Sequence, residues 1–215
     1  DFTVEFWLQP NGLNEVVLST WTGDEKEAYP LEIMIDASGR LRYYFGRQGR
    51  HASLTTRAPL ADGRWHHVAV TYQADTQRLM LLREGQPVDS LRNAVLPAVP
   101  LEGVALGGRR LARQAVDRAH TSHPLRFSGQ IDEVRLWPTV RSPVGIRDAA
   151  RRPLPDASSA DAVQLRFEAP PSPELIARWP QDARREASTL SLTVPLHDLQ
   201  AVVDEGRVHL EWASD

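Results

Sequence analysis

Between residues 2 and 137 the chain is a succession of short runs rich in Val, Leu, Ile, Thr, Tyr and Trp, each cut after a few residues by Gly, Pro, Asn or Asp. Helical periodicity is nearly absent there. Runs of this length and composition suit pleated, half-buried strands, so an antiparallel two-sheet sandwich is the architecture they specify. Strands are predicted near 2–9, 16–21, 31–36, 40–45, 51–56, 65–72, 78–83, 87–92, 104–107 and 125–137. Three connections, at 36–39, 61–64 and 83–86, carry a glycine where φ has to turn positive, and hairpins are expected across them.

The stretch Phe127-Ser128-Gly129-Gln130-Ile131-Asp132-Glu133-Val134-Arg135-Leu136-Trp137 breaks its own alternation. Its apolar residues fit period 2 on either side of Asp132-Glu133 but not across the pair, as a β-bulge would make them. Downstream, a short helix is predicted over 142–150, with Ser142 as N-cap and Pro143 at the first helical position, where a missing N–H costs nothing. Residues 153–194 read as a Pro-rich linker with one further strand at 163–167, and a third segment starts near Pro195.

Length and charge narrow the classes. At 215 residues the chain holds one large β domain or one domain and a fragment. A formal charge of −3 supplies no global field for nucleic acid or an acidic membrane, and Lys26 is the only lysine beside many arginines. The absence of cysteine excludes disulfides and thiolate chemistry. No apolar run is long enough to span a bilayer, so membrane insertion is not expected. The chain opens already inside a strand pattern and closes on an alternating strand, so both ends are expected to be interior points of a longer polypeptide.

Three segments in order, at 2–10, at 62–72 and at 129–137 followed by a Ser-initiated turn, resemble the laminin-G-like or concanavalin-A-like jelly roll. The resemblance covers residues 1–152 and implies an all-β jelly-roll sandwich of two antiparallel sheets with one short helix. It also implies a strand ahead of residue 1, paired with the 129–137 strand. Residues 195–215 look like the incomplete start of a fibronectin type III domain, a partial second β domain, with Trp212 as its early tryptophan.

Jelly rolls of this kind often carry calcium on an aspartate and backbone carbonyls, which makes Asp132 the metal candidate. The competing reading pairs Asp132 and Glu133 with arginines such as Arg135 or Arg126 in a solvated, weak arrangement. His66 and His67 point to opposite faces of a strand and cannot share an ion, so one is expected packed and the other solvated. His120 and His123 lie in an apparent loop, and Asp24, Glu25 and Glu27 read as a solvated acidic loop. Arg109, Arg110 and Arg113 begin the most basic segment and are the ligand-binding candidates, for an anionic glycan or an acidic partner. Glycosidases on this sandwich resemble one another in a Glu-x-Asp-x-x-Glu strand, which is absent here, as are a Gly-x-Ser-x-Gly elbow and a phosphate-binding loop. Trp7, Trp65 and Trp137 fall in the core motifs and read as packing residues.

The resulting expectation is a non-catalytic binding module of a larger exported bacterial protein, extracellular or at the cell surface, that recognises a glycan or protein ligand, as in cell adhesion. Two alternatives stand beside it. One is a structural or assembly spacer in a surface, toxin or tail-like particle, with other domains or subunits as partners, and the other is an accessory domain of a carbohydrate-active enzyme.

Overall fold

Alternation along Phe2–Gln9 (β1) sends Val4, Phe6 and Leu8 into one buried layer and Thr3, Glu5 and Trp7 to the opposite face. Among the described residues nine further strands precede the helix: Glu15–Ser19 (β2), Tyr29–Ile35 (β3), Leu41–Arg47 (β4), Arg50–Thr55 (β5), His66–Gln73 (β6), Arg78–Arg83 (β7), Gln86–Leu91 (β8), Val104–Leu106 (β9) and Gln130–Trp137 (β10). The helix α1 spans Pro143–Ala150, and five strands follow: Val163–Phe167 (β11), Ala177–Arg178 (β12), Leu190–Thr193 (β13), Leu199–Asp204 (β14) and Arg207–Trp212 (β15). The structure is a computed structural model that describes residues 1–21, 26–47, 49–97, 104–109 and 127–151 and the backbone of β11 to β15.

Two antiparallel sheets face each other across one core. The first runs β13-β11-β10-β1-β6-β7-β8, with β12 also on β10, and the second runs β14-β15-β9-β2-β3-β4-β5. Phe6, Leu8, Val68, Val70, Leu79 and Leu81 from the first sheet meet Leu18, Ile33, Ile35, Leu41 and Tyr43 from the second in a single buried cluster. The antiparallel two-sheet sandwich is what the strand pattern specified, and the jelly roll what the resemblance implied.

Turn chemistry holds where it is local. Asp36 Oδ1 accepts from the Ser38 and Arg40 amides, at 2.7 and 3.0 Å, and Gly39 takes φ 73° between β3 and β4. Glu84 and Gly85 both have positive φ, 51° and 69°, as a two-residue hairpin between β7 and β8 requires. The turn at Asp62-Gly63 departs from expectation, since β5 and β6 belong to different sheets and the turn carries the chain across the sandwich. Turn residues specify the reversal but not the partner.

The edge of β10 for which a strand ahead of residue 1 was expected is taken by β11, in the register Val134↔Leu165 and Leu136↔Val163. Inside the expected linker, β12 and β13 also pair, onto β10 and β11. Among the described residues β10 starts at Gln130, and just before it Gly129 lies so close to the Gln9 carbonyl that no side chain fits there. Residues β14 and β15 form a hairpin, Leu199↔Trp212 to Asp204↔Arg207, and β15 continues onto β9 through Leu210↔Val104.

Helix α1 begins as read, with the Ser142 hydroxyl accepting from Gly145 N at 3.1 Å. It packs on the first sheet through Ile146, which joins Ala69 and Leu82 in a small buried cluster, and beside the β7–β8 turn. A Cβ at Gly85 would sit 2.8 Å from Arg147 Cα and 2.9 Å from its amide nitrogen, at a positive φ. Gly85→Ala is therefore expected to lower stability by about 1 to 3 kcal/mol in chemical denaturation, by overpacking and by backbone strain.

Candidate functional site

The outer face of the first sheet is built around charges without solvent contact. Glu5 stands opposite Arg135 in the β1–β10 register, and both are fully buried. Trp137 Nε1 donates to Glu5 Oε1 at 2.8 Å, the Arg141 guanidinium donates to the same oxygen, and Arg135 NH1 lies 3.8 Å from it. Arg141 also lies 4.3 Å over the Trp137 ring and donates to Gly145 O, so it ties the helix to the sheet. Thr3 completes the seam, donating from Oγ1 to Thr139 O and accepting from Arg141 N.

His67 lies on this face with Nε2 3.7 Å from Glu5 Oε2 and its ring edge-on to Trp7. Burial, then the Arg135 and Arg141 charges, push its pKa down to about 3, so it is neutral in the folded protein. His66 points the other way and is buried too, which corrects the expectation of one solvated histidine. Its Nδ1 accepts from Arg83, which can only donate, and its Nε2–H donates to Asp62 at 2.8 Å. That hydrogen bond, more than the other neighbours, holds the Asp62 carboxyl below its usual range.

The bulge falls where alternation failed. The β1–β10 register shifts between Glu5↔Arg135 and Trp7↔Asp132, and Glu133 takes φ 48°. Asp132 Oδ1 accepts from the Glu133 amide at 2.6 Å, while the Glu133 carboxylate accepts from Arg135 NH2. The pairing of Glu133 with Arg135 was anticipated as solvated, but Arg135 is fully buried, so losing one partner strands a charge in the interior. Among the described residues no group of three or more His, Asp or Glu is arranged to hold a metal ion.

The outer face of the second sheet is organised differently. Arg109 grips Glu32 through two bonds, Nε to Oε2 at 2.9 Å and NH2 to Oε1 at 3.0 Å, and the Ser19 hydroxyl donates to Oε2 at 3.0 Å. The guanidinium lies 4.6 Å over the Trp21 ring, on which Tyr29 stacks at 4.6 Å. Tyr29, Gly46 and His51 form one cross-strand row through β3, β4 and β5. With no side chain on Gly46, Tyr29 OH and His51 Nδ1 meet over it at 2.8 Å, and a Cβ there would lie 2.7 Å from Nδ1. Burial, with Glu32 adding, raises the Tyr29 phenol well above its ordinary pKa. Beyond this row the face is polar: Arg42 bonds Asp36 at 2.9 Å and Tyr44 OH at 3.2 Å, and Ser53 is exposed, as is His51 within the row.

Of the residues singled out from sequence, Asp132 sits in the bulge on the first sheet and Arg109 on the second, at different faces of the sandwich. Arg110, Arg113, His120, His123, Asp24 and Glu25 lie outside the described residues. Sequence reading missed Trp21, Tyr29, Glu32 and His51. Gly46 fell just past the strand predicted at 40–45, and only the longer β4 makes it the point of close approach between Tyr29 and His51.

Because unfolded His67 titrates near 6.5 and the folded residue near 3, the unfolded chain holds the extra proton between those values. Stability is therefore expected to fall as pH drops from about 6.5 towards 3, by at most about 1.4 kcal/mol per pH unit from this residue. Asp36 and Asp62, whose pKa values are lowered from 3.8, lose their contributions only as pH falls below that value, which separates the two effects. Urea unfolding at pH 7 and pH 4.5 checks this: the difference should shrink in His67→Phe and persist in Asp62→Asn.

Comparison with known proteins bears on this geometry. No match was found among curated proteins. Among solved structures, a proposed carbohydrate-binding protein of Bacteroides ovatus is similar over 100% of this chain at 15% identity and a TM-score of 0.52, and the chain spans 54% of its length. The CBM40 of the Ruminococcus gnavus IT-sialidase aligns with 67% of this chain and 80% of its own at 15% identity and a TM-score of 0.53. A heptameric SAP-like pentraxin of Limulus polyphemus aligns with 99% and 82%, at 12% identity and a TM-score of 0.50. At these identities the likeness is one of fold. Residues 1–147, two thirds of the chain, match the family described as the concanavalin A-like lectin/glucanases superfamily, and with its two-sheet jelly roll the chain belongs to that family.

Proposed function

We propose that the chain is a non-catalytic recognition module of a larger exported protein, and that it binds a glycan on the outer face of its second sheet. The observation that carries the reading is the contrast between the two outer faces. Helix α1 and the Glu5–Arg135–Arg141 seam cover the first, whereas the second keeps half-exposed Arg42, Tyr44 and Met34, exposed Ser53 and His51, and the Tyr29–Gly46–His51 row. Polar groups displayed on a rigid sheet beside aromatic rings suit sugar hydroxyls.

Family membership supports a glycan rather than a protein ligand, as does the CBM40 relative, which has been solved with α2,3- and α2,6-sialyllactose. Among the described residues, the buried carboxylates of Glu5, Glu32 and Asp36 are each held by an arginine, which argues against the paired free carboxylates of a glycosidase. An extracellular or cell-surface location follows from the same reading. Arg109 acts here as a positioning residue that holds Glu32 and covers Trp21, while direct contact falls to Arg110 and Arg113.

A glycan array probed with the whole chain tests this. Defined hits are expected, weakened about tenfold by Arg110→Glu with Arg113→Glu, the loss of charge-assisted contacts. A blank array would sink the reading in favour of the spacer, which the continuation of the second sheet through β9 into the β14–β15 hairpin also favours. A fibronectin-type start at 195–215 is a separate proposal supported by the residue pattern alone, since β15 joins the second sheet through β9. The parent polypeptide decides whether the module serves a carbohydrate-active enzyme. Calcium at Asp132 is a separate proposal, supported by the bulge alone: a thermal midpoint lowered by chelator and restored by calcium bears it out, and an unchanged midpoint removes it.

A further inference from the structure

Strand β4 sends Leu41, Tyr43 and Phe45 into the core, which leaves Arg42, Tyr44 and Gly46 on the outer face of the second sheet. Arg40, one residue ahead of the strand, joins them, because its Nε lies 3.4 Å from the Asp36 Oδ2 that also holds Arg42 Nε at 2.9 Å. The other oxygen of Asp36 is already taken by the Ser38 and Arg40 amides. Arg40 Nε makes an ion pair there but no hydrogen bond. One carboxylate between two guanidiniums leaves one positive charge unmatched, and neither arginine has another acidic partner among the described residues. The chain as a whole is net negative, so this excess is local and not a consequence of composition.

Both side chains reach solvent, at 35% and 31% exposure, yet Arg42 is not free to wander. Its Nε donates to Asp36 and its NH1 to Tyr44 OH at 3.2 Å, so the guanidinium is fixed against the hydroxyl edge of the Tyr44 ring with N–H groups to spare. Cross-strand pairing sets exposed Ser53 beside half-exposed Tyr44. We infer that Arg40 and Arg42 take the carboxylate of an acidic sugar, a uronic or sialic acid unit, whose ring lies on Tyr44 with Ser53 at its hydroxyls. The inference rests on the glycan reading above and names the class of glycan. A guanidinium fork matches a planar carboxylate, and a ring stacked on Tyr44 brings its carboxylate to the edge where Arg42 waits. Because Asp36 and Tyr44 already hold Arg42, little ordering is left to pay on binding.

The test is an array bearing sialyllactose, hyaluronan and oligogalacturonate, each beside its carboxyl-reduced form, probed with the whole chain and with Arg40→Gln, Arg40→Lys and Tyr44→Ala. The acidic member of a pair should bind about tenfold more tightly than the reduced one, with less advantage as salt rises. Which pair responds separates a sialic from a uronic source. Arg40→Gln removes the unmatched charge but leaves Arg42 and both amides on Asp36, so its thermal midpoint should hold while the acid preference disappears. Arg40→Lys should keep most of that preference, and Tyr44→Ala should weaken both forms alike. An acid preference unchanged in Arg40→Gln overturns the inference, as do equal weakening of acidic and reduced forms by that variant and unchanged binding by Tyr44→Ala. If glycans bind but no acidic form is preferred, the carboxylate site fails and the glycan reading stands. If no glycan binds, both fail.

Discussion

The carboxylate of Glu5 lies out of reach of solvent on the outer face of the first sheet, and three parts of the chain converge on it. Strand β1 supplies Glu5, β10 supplies Arg135 and Trp137, and the segment leading into α1 supplies Arg141. Burying an ion in a sheet face costs several kcal/mol unless its partners are placed well. Placing them fixes the β1–β10 register, and the bulge at Glu133 lets Arg135 face Glu5 while Ile131 and Val134 still enter the core. Arg141 then carries the same constraint into the helix, whose Ile146 seals the sheet beside it.

One consequence is a division of labour between faces. Hydrophobic burial between the sheets stabilises the sandwich and is indifferent to what lies outside. The first sheet's outer face is closed by charge and helix, so a ligand would have to displace both. On the second sheet, one buried carboxylate is neutralised by one bidentate arginine, and the strands towards β5 leave polar groups within reach of solvent. Fold membership alone does not choose a face. The chemistry of the two surfaces does.

Much of this was legible where the determinant is local. The bulge showed as a break in alternation at Asp132-Glu133, the helix start as Ser142-Pro143, and the Asp36–Gly39 and Glu84-Gly85 turns as residues that tolerate positive φ. What sequence could not disclose depends on partners far along the chain. His66 and His67 are both buried because Arg83, Asp62 and Trp7 happen to reach them, and Arg135 is buried because Glu5 lies opposite it across 130 residues of chain. Likewise Arg109 looked like a free cation at the head of a basic segment, yet Glu32, 77 residues earlier, holds it. Strand order has the same character: nothing in Asp62-Gly63 says that the chain changes sheets there.

The central claim is that recognition belongs to the second sheet's outer face. NMR chemical-shift mapping with a glycan identified on the array tests it most directly. The account predicts shifts concentrated in Tyr29–Ile35, Leu41–Arg47 and Arg50–Thr55, with Phe2–Gln9 and Gln130–Trp137 unmoved. Shifts centred on Trp7, Trp137 and α1 would contradict it.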